Sequence, residues 1–333
     1  MLLSSPPAPG QGVPAREYPA PSGSLASLPH AIRLAGGALR AEVVPELGGA
    51  ITGFWTHAQD GYRIDWLRSA TDEALTSRDI LAMGSFPLLP FCNRIRNGRA
   101  RFEGREIRMP PNHPASDSPH PLHGIGWQRA WTVLARSDSA CELGLYEPAS
   151  EAWPWRFSAT QRIELREGGL HVRITLLNED TAAMPAGIGH HPYFPRRAGG
   201  ARLTCATAAM WRCDAEVMPV ALETGGVVDR LRAGLPIDEA DLDNNFVGWN
   251  RRARIDWPAG EGGPSCSLRI EADPVLDHFV VYAPPGADHF CAEPVSQCTD
   301  WLNLLDRYGR GSLGGARLTA GETLTASFRL LPG

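Results

Sequence analysis

The fold this sequence predicts is all-β: a large antiparallel sandwich with few short helices. Three observations point there. Strand-like runs, several of them alternating, recur along the whole chain. The 333 residues include 35 glycines and 29 prolines, well above the roughly 12% average usage of the two together, which implies many turns. No strand-helix-strand rhythm appears, and no Gly-x-Gly-x-x-Gly turn follows a strand, so a parallel α/β sheet is disfavoured.

Taken in order, residues 1–29 are rich in Pro, Ser, Ala and Gly (Ser4-Ser5-Pro6-Pro7, Pro19-Ala20-Pro21-Ser22-Gly23). Such a segment is too polar and turn-rich to pack, so it reads as a mobile leader ahead of one domain spanning 30–333. Order is expected from about Ile32. Leu39-Arg40-Ala41-Glu42-Val43-Val44 alternates as a strand, and Leu47-Gly48-Gly49-Ala50 turns it into Ile51-Thr52-Gly53-Phe54-Trp55. Further strands are expected over 101–107, 131–135, 156–165, 170–176, 202–207, 267–270, 279–282 and 323–330. Only 77–83 and 300–306 read as short helices. No fixed repeat appears, which disfavours a propeller.

Composition narrows the chemistry. All 32 basic residues are arginines. A Schiff-base lysine, a pyridoxal-phosphate site and a Walker A lysine are thereby excluded, leaving acid-base chemistry for any carbonyl reaction. The formal net charge of -5 carries no basic block, which argues against nucleic acid and anionic membranes as partners. Seven cysteines without a Cys-x-x-Cys pair argue against a disulfide framework and a thiolate zinc site, and fit a reducing compartment. No apolar run approaches the roughly 18 residues of a membrane span. With no Lys or Arg before Arg16, the start also lacks a signal-peptide layout. The expectation is a cytoplasmic protein, monomeric or homodimeric.

Polar islands stand out between the strands. Ala186-Gly187-Ile188-Gly189-His190-His191-Pro192-Tyr193-Phe194-Pro195 sets two imidazoles between glycines and a stiff Pro-aromatic run. One of the pair is a candidate proton donor, since imidazole titrates near neutrality; a packing role is the plain alternative. Phe91-Cys92-Asn93-Arg94-Ile95-Arg96 offers an amide and a guanidinium fork to hydroxyls or carboxylates, or else forms a surface turn. His120-Pro121-Leu122-His123-Gly124-Ile125-Gly126-Trp127 has a His-x-x-His spacing that is weak as a metal signal. An indole beside an imidazole there suits a polyhydroxylated ring, with core packing as the competing role for Trp127. Asp241 to Trp249 is an acidic-amide cluster, and Glu293 lies among apolar neighbours that would desolvate a carboxylate and strengthen it as a base.

The order Asn93-Arg94-Ile95, Leu122-His123-Gly124, His191-Pro192-Tyr193-Phe194, Asp243-Asn244-Asn245-Phe246 and a late Glu293 resembles the aldose 1-epimerase (galactose mutarotase) family, from about residue 32 to the C-terminus. The resemblance implies a galactose mutarotase-like β-supersandwich with a sugar cleft and no cofactor. It implies that Glu293 removes the anomeric hydroxyl's proton, that His191 protonates the ring oxygen, and that His123 assists there. Arg94, Asp243, Asn93 and Trp127 would hold the sugar. The chain departs from the common pattern at Ile125, where a second glycine is usual, at Asn244, where histidine often stands, and over Phe86 to Cys92. These departures bear on which sugar fits. A sugar-phosphate or other sugar epimerase, a non-catalytic sugar-binding domain, and a metal-dependent β sandwich using His120, His123, His190 and His191 are the alternatives.

Overall fold

The structure, a computed structural model, describes residues 30–57, 61–261 and 263–333; the expected leader lies outside them. Antiparallel sheets dominate. The chain opens with a four-stranded meander, Ile32–Gly36, Leu39–Val44, Ala50–His57 and Arg63–Leu67. Leu34, Ala41, Val43 and Phe54 turn inward from it, because alternate residues of a strand face opposite sides. The turn that ends Leu39–Val44 needs glycine for a steric reason. Gly48 has φ +64, and a Cβ there would lie 2.1 Å from the Trp127 carbonyl oxygen.

A nine-stranded sheet runs in the order Leu235–Pro236, Arg202–Cys205, Arg252–Trp257, Cys266–Ala272, Thr323–Pro332, Gly169–Asn178, Phe157–Arg166, Ala140–Glu147 and Thr132–Arg136. An eight-stranded sheet includes Pro219–Glu223, Ala209–Cys213, Leu242–Val247, His278–Ala283, His289–Val295, Gly189–His190 and Pro87–Leu88, with Tyr193–Pro195 also paired to His289–Val295. The main hydrophobic cluster draws on both sheets and on the meander, with Trp153, Trp155, Trp211, Trp249, Trp257 and Trp301 in it. A smaller cluster of Val44, Met83, Phe86, Trp127, Tyr193 and Val295 lies under the second sheet's polar islands. All seven cysteines are free thiols. No helix among the described residues is long and apolar enough to cross a membrane.

Most expected strands appear within a residue or two of their predicted ends. The run at 101–107 is instead a hairpin, Arg99–Phe102 with Arg105–Arg108, because Glu103 and Gly104 both take positive φ and reverse the chain. The helix expected at 77–83 lies earlier, over Asp72–Ser77, where the Thr71 hydroxyl accepts from the Ala74 N–H as an N-cap. A single 3-10 turn, Ile80–Ala82, follows it. The second expected helix spans Trp301–Tyr308. A third, Val227–Ala233, was not anticipated.

Candidate active site

Strand register builds the site. Gly189 pairs with Val295 and Tyr193 with Cys291, and in one antiparallel register this sets residue 191 opposite residue 293. The next strands extend the row, since Cys291 pairs with Tyr282 and Tyr282 with Asp243. Directly opposed residues share a face and alternate residues return to it. His191, Tyr193, Tyr282, Asp243 and Glu293 accordingly line one cleft of about 410 Å³, with Asn93, Arg94, His113 and His123 from the adjoining loops.

Glu293 Oε1 lies 3.4 Å from His191 Nε2, and both residues are more than nine-tenths buried. Burial raises the Glu293 carboxyl well above its ordinary range, aided by the Asp243 charge and opposed by Arg94. Burial likewise lowers the His191 imidazole to about 3, with the Arg68 guanidinium adding to the effect. The environment thus favours one proton on the pair with both groups neutral. Glu293 Oε2 and His191 Nδ1 have no hydrogen-bond partner among the described residues. The imidazole is held by stacking. Tyr193 lies parallel to it at 4.6 Å between centroids, Phe86 packs at 4.9 Å, and the Arg68 guanidinium sits 4.0 Å from the Tyr193 ring centre.

His123 meets His191 edge to face at 5.0 Å. Asn93 and His123 clamp each other, the Asn93 N–H donating to His123 Nδ1 and the His123 N–H donating to the Asn93 carbonyl. With Nδ1 accepting, the ring proton belongs on Nε2. Burial first, then the neighbouring His191 and Arg94, lower His123 well below the usual imidazole value. It is therefore a neutral donor near neutral pH. Asn93 and His123 both have φ near +60, a strained conformation for residues with side chains and one that clusters at functional sites. Arg94 reaches Asp243 Oδ2 with both terminal nitrogens at 3.4 Å and Asn93 Oδ1 at 3.3 Å. Burial raises the Asp243 carboxyl while Arg94 pulls it down.

Six of the seven predicted site residues therefore line the cleft. Trp127 does not. It is fully buried, stacked 5.5 Å from Phe86, with its indole N–H donating to the Leu122 and Gly124 carbonyls. The core alternative holds for it because the loop folds the indole inward to satisfy those carbonyls. His190 also points away from the cleft. Its Nε2 meets Gln161 Oε1 at 2.8 Å and its Nδ1 pairs with the Ser85 hydroxyl. The four-histidine metal grouping is not assembled, since His190 is engaged in the core and His120 Nδ1 accepts from the Asn97 N–H. Among the described residues, the one group of three or more whose ligand atoms all lie within 4.8 Å of one another is His191, Cys291 and Glu293. Burial pushes the Cys291 thiol well up, which works against the thiolate a metal would require. Sequence reasoning missed His113, Tyr282 and His289 as wall residues. A larger hollow of about 600 Å³ near Arg202, Asp256 and Cys266 contains no comparable carboxyl-imidazole pair.

Stacked antiparallel sheets with this cleft on one of them place the molecule in the class of galactose mutarotase-like β-supersandwiches. The chain belongs to the aldose 1-epimerase family, described as Aldose 1-epimerase, which matches residues 30–331. Escherichia coli YphB, an uncharacterized protein, is 29% identical over 281 residues, 80% of this chain and 88% of YphB. A crystal structure of an Escherichia coli K12 protein provisionally described as an aldose 1-epimerase superposes with a TM-score of 0.78 at 26% identity, covering 91% of this chain and 99% of that one. A galactose mutarotase-like protein from Clostridium acetobutylicum shares the fold, with a TM-score of 0.76 at 19% identity over 91% of this chain and 95% of the other.

Proposed function

We propose that the protein is an aldose 1-epimerase that interconverts the α and β anomers of a free aldose by opening and reclosing its ring. The observation that carries this reading is the buried Glu293–His191 pair, 3.4 Å apart at the cleft wall. The hydroxyl and ring oxygens of a hemiacetal share one carbon, so neighbouring base and acid groups can reach one each.

Glu293, as carboxylate, takes the proton from the anomeric O1. His191 Nε2, as imidazolium, gives its proton to O5. The C1–O5 bond breaks, C1=O1 forms, and the pair is left as carboxylic acid and neutral imidazole. Burial favours that neutral form of the pair, so the charged form that opens the ring is its minor tautomer, reached by moving the one shared proton from Glu293 to His191, and reclosure restores it. Rotation about C1–C2 and the reverse transfers close the other anomer. The neutral Nε2–H of His123 steadies O5, while Arg94, Asp243 and Asn93 hold the remaining hydroxyls. No electron transfer and no cofactor are needed.

Polarimetry on freshly dissolved single anomers tests the reading. Glu293→Gln keeps the shape of the side chain and removes the base, and should lower kcat/KM by about 10²- to 10⁴-fold. A folded Glu293→Gln protein with full activity refutes the assignment. Absence of acceleration on any sugar would leave a sugar-binding domain instead.

A further inference from the structure

His191 presents Nε2 to Glu293 at 3.4 Å, yet its Nδ1 has no hydrogen-bond partner among the described residues. A histidine that must offer one ring nitrogen is ordinarily oriented by a hydrogen bond at the other. Here ring packing has to supply that hold. Tyr193 stacks on His191 with 17° between the planes, and the same Tyr193 ring bears the Arg68 guanidinium 4.0 Å from its centre.

Arg68 is itself pinned. Its Nη2 donates to the Leu81 carbonyl at 2.5 Å and to the Met83 carbonyl at 2.9 Å, and its Nη1 lies 3.1 Å from His289 Nδ1. The Arg68 N–H donates to the Tyr193 carbonyl and the Tyr193 N–H to the Gly84 carbonyl, so the main chain ties the two residues as well. A planar guanidinium held in several directions has little freedom to leave the ring it covers. His289 meets the same Tyr193 ring edge on at 5.2 Å. Among the described residues Leu81, Tyr193 and His289 line the cleft, whereas Arg68 does not. Its charge therefore bears on the site through Tyr193 rather than through contact with a ligand.

We propose that Arg68 is a positioning residue for the ring-opening step: its guanidinium, pinned by the Leu81 and Met83 carbonyls, fixes the Tyr193 ring, and that ring keeps His191 Nε2 beside Glu293. This inference rests on the epimerase reading above. A misplacement of Nε2 by about 1 Å is enough to cost on the order of 10²-fold in rate. The sugar's other hydroxyls stay with Arg94, Asp243 and Asn93, so the loss belongs in kcat rather than in KM.

The test is polarimetry with single anomers of common hexoses and pentoses on the unmodified protein, Arg68→Met, Arg68→Lys, His191→Asn and the double variant Arg68→Met/His191→Asn. Thermal denaturation checks that each folds; should Arg68→Met fail to fold, Arg68→Gln takes its place. Arg68→Met keeps the bulk and removes the charge, and kcat should fall about 10- to 10²-fold with KM within about twofold. Arg68→Lys returns a cation to the Tyr193 ring and should bring kcat back to within about threefold of the unmodified protein. In the His191→Asn background, Arg68→Met should cost less than about twofold, because the ring it positions is gone. Four results each overturn the inference alone: an unchanged kcat in folded Arg68→Met, a loss confined to KM, a lysine variant no better than the methionine one, or the full loss repeated without His191. No acceleration on any sugar by the unmodified protein overturns the epimerase reading and this inference together.

Discussion

Replacing His190 with phenylalanine should cost stability and spare anomer interconversion, while His191→Asn should do the opposite. The two residues are neighbours in the chain, yet alternation along the strand sends their rings to opposite sides. His190 is wholly buried and joins the Ser85 hydroxyl, 1% exposed, to Gln161, which is wholly buried and whose amide donates to the Gly49 carbonyl. A phenyl ring in its place leaves the Ser85 hydroxyl and the Gln161 carboxamide oxygen without a partner. Each orphaned group costs about 1–3 kcal/mol, giving about 2–6 kcal/mol in all. At about 2 °C per kcal/mol for a chain of this size, Tm should fall by about 4–12 °C. His191→Asn forfeits mainly ring stacking on Phe86 and Tyr193, about 1–2 kcal/mol, but removes the acid and should lower kcat/KM by about 10²- to 10⁴-fold. Thermal denaturation and polarimetry on both variants read the two effects. If His190→Phe loses the rate while keeping its Tm, or His191→Asn keeps the rate, the division of labour is wrong.

Two further outcomes follow from the geometry. The active pair carries one proton. Falling pH adds a second only as the imidazole titrates near 3, so kcat/KM should show no acid limb at the ordinary histidine value, and rising pH removes the first on passing the raised Glu293 value, which puts the alkaline limb above the ordinary carboxylate range; an acid limb near pH 6.5 contradicts the assigned desolvation. Gly187→Ala should destabilise by about 1–3 kcal/mol in denaturant titration. Its new methyl would lie 1.4 Å from Gln297 Oε1 and force that buried side chain off the Cys92 carbonyl to which its amide donates; unchanged stability would mean the loop yields freely.

Alternation, glycine-proline punctuation and the order of the polar islands were legible in the sequence, because each is a local property. They sufficed for the all-β class and for most strands, while Glu293, His191, His123, Arg94, Asn93 and Asp243 were singled out by the resemblance those islands carry to the aldose 1-epimerase family. The helix Val227–Ala233 escaped because seven residues are too few for a helical period to declare itself against turn-forming neighbours. The tertiary structure alone decided the rest. Trp127 could stack on a ring or fill a core with equal chemical reason, and only the path of its loop buried it. His113 and Tyr282 carry no signal of their own; long-range placement brings them to the cleft. The register that matches Gly189 to Val295 is what turns a residue near 190 and one near 290 into neighbours, and which of two adjacent histidines faces the cleft follows from it, since a shift of one residue would exchange their faces.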